Sequence, residues 1–184
     1  FFGGVVFWYA IEKVFMTSLG FSPTIISLVI IVMLAAGLVL EFPSGVLADR
    51  WSRKNVMILS YVALGLASIG IGLANGMITY MLANILYAAY FALHTGTYDA
   101  IVYDTLLEET GSRKNYEKYV GLVSAFASAG LAVSSLAGPF IADNLGLRAA
   151  YLTSVPFTIL AIVALLGLRE PQLHKEHPQT KLLY

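Results

Sequence analysis

Six runs of about 20 mostly apolar residues occupy most of the chain, roughly 1–18, 25–48, 55–74, 77–105, 119–141 and 148–168. A helix of that length crosses the hydrocarbon core of a bilayer. Backbone polar groups find no water there, so such runs fold as helices that bond their own N–H and C=O groups. The composition agrees. Only 12% of the 184 residues are charged and 58% are hydrophobic, against about 25% charged in a soluble domain. The breaks between runs carry turn chemistry: Gly20–Pro23, residues 45–54, Asn75-Gly76, TGSRKNYEK from Thr110, and Asp143-Asn144-Leu145-Gly146. The first run reads as clipped at its N-terminus, and no separate signal peptide is expected. The expected architecture is an all-α membrane protein of six transmembrane helices over 1–168. The polar, proline-containing segment 169–184 is expected to be a loop or linker.

The cations set the expected direction. Arg50, Arg53 and Lys54 follow the second run. Arg113, Lys114 and Lys118 follow the fourth, and Arg169, Lys175 and Lys181 follow the sixth. Only Lys13 and Arg148 of the 11 lie elsewhere. Loops alternate sides, so the positive-inside bias puts both chain ends in the cytoplasm of a multi-pass cell (inner or plasma) membrane protein. The chain has no Cys, which excludes disulfides and thiolate metal sites. Its net charge of zero argues against a nucleic-acid partner. His174 and His177 are spaced three apart in a polar tail, which reads as a solvated loop, so no metal or cofactor is expected.

Two helix ends share a pattern. GVLADRWSRK begins at Gly45 and GPFIADNLGLR at Gly138. Each runs from Gly through apolar residues to Ala-Asp, then a turn and a cation. They follow the second and fifth runs, as expected if runs 1–3 and 4–6 are copies. Three is odd, so the second copy would be inverted, an arrangement found in secondary transporters. A chance match of two helix ends is the alternative.

GVLADRWSRK closely resembles the loop signature of the major facilitator superfamily, through Gly45, Leu47, Ala48, Asp49, Arg50, Arg53 and Lys54. Ser52 stands where that pattern has Gly. HTGTYDAIVYDTLLEE, SAGLAVSSLAGPFIAD and LGLRAAYL with LREP resemble the family's fourth, fifth and sixth helices. In the fifth, Gly130, Gly138 and Pro139 fit the antiporter pattern, while Ser134, Ala142 and Asp143 depart from it. The resemblance implies an MFS-type half, with a linker to a second half starting at 169. It also implies that Arg53 meets Asp104 at the end of the fourth helix. With Asp49 at a neighbouring helix N-terminus, that contact would latch the outward-open state. Glu41, two turns before Asp49, is placed with this network; a proton-accepting carboxylate is the alternative. The bland reading of the cluster is a topology signal, but positive-inside charge alone does not require Asp49.

Ionisable groups inside a membrane cost about 2.5–3.5 kcal/mol on insertion scales and usually serve a function. Asp99 and Asp104 are five residues apart, about 140° around a helix, so they face different surroundings. Asn84, Tyr87, Phe91, His94, Thr95, Tyr98 and Asp99 form a polar, aromatic arc expected to line a water-filled cavity; aromatic packing between helices is the alternative. Glu12 is a second carboxylate for the pathway, or else an interfacial pair with Lys13. His94 is a proton-relay candidate, although a lone helical His is more often a packing residue. Gly130, Gly138 and Pro139 read as packing and a hinge in the fifth helix.

No hydrolase signature G-x-S-x-G or H-E-x-x-H occurs, so no enzyme activity is expected. No Arg-repeat helix or filter loop marks a channel. The expected function is secondary transport of a small, amphipathic solute, coupled to protons as efflux, by alternating access. The partners implied are the substrate, protons, lipid, and a missing C-terminal half or a second six-helix unit. A six-helix structural or binding protein without transport is the alternative.

Overall fold

The computed structural model describes residues 4–110 and 116–168, apart from the side chains of Asp49, Glu109 and Thr110. The α-helices are α1 (Glu12–Ser18), α2 (Pro23–Arg50), α3 (Arg53–Gly72), α4 (Met77–Thr110), α5 (Tyr116–Leu145), α6 (Leu147–Leu152) and α7 (Val155–Gly167). Among the described residues, five stretches are long and apolar enough to cross a membrane: Pro23–Ala48, Arg53–Gly72, Met77–Glu108, Tyr116–Leu145 and Leu147–Gly167.

Local chemistry explains the breaks. Ser22 caps α2 through Ile25 N (3.4 Å), with Pro23 in the first turn, where no N–H is needed. Ser52 caps α3 through Asn55 N (3.2 Å), so the residue that departs from the family pattern starts a helix. Gly146, at φ 92°, makes the turn from α5 into α6. The sixth span is α6 and α7 in series. Pro156 lies in the first turn of α7, and the Thr153 and Ser154 hydroxyls donate to Ala149 O (2.8 Å) and Ala150 O (3.0 Å) at the end of α6.

The first run differs from the helix expected over 1–18. Its α-helix covers only Glu12–Ser18, and residues 7–11 are turns. Side chains of other helices take over the backbone bonding that hydrocarbon demands. Val6 N donates to Ser134 Oγ (3.1 Å) and Phe7 N to Ser154 Oγ (3.0 Å). The segment also lies very close to α5. A Cβ on Gly138 would stand 1.8 Å from Phe7 O, and one on Gly4 would stand 2.2 Å from Ala127 O. Trp8 anchors the segment. It is fully buried, stacks on Tyr151 (centroids 5.1 Å, planes 9° apart) and donates Nε1 to Ser68 Oγ (3.2 Å).

Packing follows the same repeat as the sequence. α2 packs on α4, and the first segment packs on α5. α3 packs on α4, and the sixth span packs on the first segment through Phe7–Phe157 and Trp8–Tyr151. α3 and the sixth span pack on each other. Exchanging spans 1–3 with 4–6 turns each contact into another of the set. That is the pattern of two three-span copies, the second inverted. Small residues allow the close approaches: a Cβ on Gly72 would stand 2.9 Å from the Tyr151 Cβ.

Candidate functional site

At the end of the bundle that carries Arg50, Arg53 and Lys54, Arg53 and Lys54 join the two copies. Arg53 starts α3 and pairs through Nη1 with the Asp104 carboxylate of α4; the same nitrogen donates to Ala100 O (3.0 Å). Both side chains are mostly shielded, at 17% and 13% exposure. Lys54 Nζ donates to Leu166 O and Leu168 O (2.8 Å each) at the end of α7. Cations are favoured there because a helix C-terminus leaves its last carbonyls unbonded and negative. The Asp49 side chain lies outside the described residues, as do Arg113, Lys114 and residues 169–184 with His174 and His177. At the opposite end, Arg148 Nη2 donates to Ala74 O (3.0 Å) and Asn75 Oδ1 (2.8 Å) past α3.

Between these ends lies a cavity of about 450 Å³, bounded by the first segment, α3, α4 and α5. Its α4 wall is aromatic: Tyr87, Tyr90, Phe91, His94 and Tyr98. His94 stacks on Tyr98 (centroids 5.2 Å, planes 18° apart). It also lies 3.4 Å from the Tyr61 hydroxyl through Nε2. Val6 and Tyr9 close the cavity from the first segment, and Ser124, Ser128 and Leu131 line it from α5. Such a cavity offers stacking faces and hydroxyls to a small, partly apolar molecule.

The structure divides the arc expected along α4. Tyr87, Phe91, His94 and Tyr98 reach the cavity. Asn84 does not line it; Asn84 is buried among packed side chains, and neither of its amide atoms has a bonded partner among the described residues. Thr95 turns to a groove against α2, and Asp99 is exposed and outside the cavity lining. The physical reason is width. The arc covers about 140°, and α4 packs on α2 along one edge and on α3 along the other.

Glu12 stands apart from the cavity lining and accepts from the Tyr80 hydroxyl (3.2 Å). Glu41 is exposed and lines the α2–α4 groove, whereas Arg53 meets α4 further along, at Ala100 and Asp104. Gly130 and Gly138 are buried, Gly138 against Phe7 of the first segment, and α5 runs unbroken through Pro139. Tyr61 and Tyr90 were not among the residues expected in the cavity. Tyr90 was legible in the spacing of Tyr87, Tyr90 and His94. Tyr61 had no signal, because only the packing of α3 on α4 brings it there.

A family model for the Major Facilitator Superfamily matches residues 1–183. No curated protein matches the chain.

Proposed function

Because the chain belongs to the Major Facilitator Superfamily, a family of multi-pass membrane transporters of small molecules, we propose that it is the N-terminal half of a proton-coupled efflux transporter. The observation that carries this reading is the aromatic cavity between the two copies, about 450 Å³ in volume and walled by four separate spans. Sites at repeat interfaces near the bilayer midplane are where secondary transporters hold their cargo. The Arg53–Asp104 pair acts as a latch at the cytoplasmic end, joining α3 to α4 in the state that is open to the outside. The second half follows a linker that starts at 169, and both ends of the chain lie in the cytoplasm of the cell membrane. Glu12 and Asp99 are the carboxylates for proton coupling, and His94 is a relay within the cavity. Gly138 and Pro139 form the hinge in α5.

The test is solute flux in proteoliposomes, with and without a pH gradient, using this chain alone and joined to a second six-helix half. Gradient-driven flux in the joined form alone is the expected result. Flux from the chain by itself would mean that two copies complete a pathway. No flux from either form across a broad solute panel would favour a six-helix membrane protein that binds without transporting.

A further inference from the structure

Tyr61 reaches the aromatic cavity from α3 and lies against His94 of α4. The tyrosine is buried, at 7% exposure. Its hydroxyl is 3.4 Å from His94 Nε2. Three rings hold the plane of the imidazole: Tyr61 edge-on (centroids 5.7 Å, planes 86° apart), Tyr90 tilted (5.3 Å, 48°) and Tyr98 stacked (5.2 Å, 18°). Among the described residues, neither the Tyr61 hydroxyl nor the imidazole has a second hydrogen-bond partner. No Asp, Glu or second His lines the cavity.

A neutral imidazole carries one proton, on either of two nitrogens, and the bond made by one nitrogen decides where it sits. If Nε2–H donated to Tyr61, two groups would go unmet: the buried Tyr61 O–H and the Nδ1 lone pair. If Tyr61 donates to Nε2, the phenol proton is bonded inside the protein and the imidazole proton sits on Nδ1. The group left over is then the N–H of a residue that lines the cavity, where water or a solute can meet it. An unmet donor costs most where it is buried, so the second arrangement is favoured.

We propose that Tyr61 is a positioning residue that fixes His94 as the Nδ1–H tautomer and so presents a hydrogen-bond donor to the cavity. The solute must then bring an acceptor, such as a carbonyl oxygen, on its apolar body. A site built to hydrogen-bond a ligand discriminates against the analogue that lacks the partner group. The inference rests on the reading of the aromatic cavity as the cargo site, but not on proton coupling or on flux.

The test is nitrogen NMR of the full chain in detergent micelles at about pH 8, where an ordinary imidazole is neutral. His174→Gln and His177→Gln together leave His94 as the one histidine of the three. Long-range proton–nitrogen correlations in this parent show which nitrogen is protonated. Nδ1–H is expected, the reverse of free histidine, which favours Nε2–H. Tyr61→Phe keeps the ring and removes the donor. It should shift the tautomer ratio about fivefold toward Nε2–H, as loss of one neutral hydrogen bond does. Tyr90→Phe removes another hydroxyl beside His94 and should leave the ratio unchanged. Circular dichroism identifies a variant that fails to fold, and the parent spectrum stays decisive by itself: Nε2–H there overturns the proposal. So does an equal ratio in the parent and Tyr61→Phe, or an equal shift in Tyr61→Phe and Tyr90→Phe. Acetophenone, which carries a carbonyl acceptor, should move the Nδ1 resonance saturably, and ethylbenzene, of similar shape without one, should not. Equal responses to the two, or none to acetophenone, overturn the donor role. Failure of flux with a Tyr61-dependent tautomer and an acetophenone response intact would sink the transport reading alone.

Discussion

Lys54 and Arg148 cap each other's helices from opposite ends of the bundle. Lys54 begins α3 and bonds Leu166 O and Leu168 O at the end of the sixth span. Arg148 begins that span and bonds Ala74 O and Asn75 just past α3. The two cations are 94 positions apart, as are the acceptors Ala74 and Leu168. Each cation follows the Asp of its own Ala-Asp pair by five residues. The short repeat seen in the sequence therefore carries a contact that is repeated in space.

Arg148→Met should lower stability by about 0.3–1 kcal/mol, the range for an exposed cation at a helix C-terminus, and Lys54→Met, at a half-buried site, by up to about 2 kcal/mol. The caps share no partner and lie at opposite ends, so the double variant should be additive within about 0.5 kcal/mol. Denaturant titration of the chain in detergent, followed by circular dichroism, measures this. A larger coupling would show that the caps do not act independently.

Arg53→Ala and Asp104→Asn should each impair transport by the joined protein while membrane insertion stays normal. Each variant removes the guanidinium–carboxylate contact between two mostly shielded side chains. Flux in proteoliposomes, set beside the amount of inserted protein, separates the two effects. Normal turnover in both variants would remove the latch role. Asp49→Asn makes the same prediction.

Gly138→Ala should destabilise the chain by about 1–3 kcal/mol, as overpacking does, because its Cβ would meet Phe7 O at 1.8 Å. Gly121→Ala on the same helix faces open space. It should change stability by less than about 1 kcal/mol, on the favourable side. Thermal unfolding of the two variants side by side checks the contrast, and equal effects would contradict the close approach of the first segment to α5.

Asp99→Asn and Glu12→Gln test proton coupling separately. Loss of pH-gradient dependence in one variant, with residual downhill flux, would assign coupling to that carboxylate. Unchanged flux and unchanged pH dependence would dismiss it. Tyr80→Phe should mimic a milder Glu12 defect, since the Tyr80 hydroxyl is the donor to Glu12.

Trp8→Phe removes the indole bond to Ser68 while keeping a stacked ring. The lost bond should cost about 0.6 kcal/mol, the average measured for hydrogen bonds between membrane helices, whose maximum is about 1.7 kcal/mol. Ser68→Ala should cost a similar amount, and the double variant little more than either alone. Unfolding titrations of the three variants form the cycle.

Spanning length, charge asymmetry and the repeated Ala-Asp ends were legible in the sequence because each is written in consecutive residues. Apolar runs set the helices, since hydrocarbon leaves the backbone no other partner. Turn residues marked the breaks, Gly146 among them, whereas the cap that Ser52 makes on α3 was not read from the sequence. The arrangement of the first segment was not legible. Its N–H groups are bonded by Ser134 and Ser154, more than a hundred residues away, and no local pattern announces such donors and acceptors.

The sites divide in the same way. The aromatic arc of α4 could be read from periodicity, because residues on one helix face recur at fixed spacing. Which part of that arc meets a cavity, and which meets α2, was decided by where α2, α3 and α5 pack around α4. By composition and position alone Glu41 and Asp104 look alike, as carboxylates near the ends of apolar runs; the family resemblance paired Asp104 with Arg53 and gave Glu41 no such partner. Tertiary packing gave Asp104 an arginine and left Glu41 facing an apolar groove. The reason is physical: charge and hydropathy belong to a residue, whereas a partner belongs to the position in space that the other helices create.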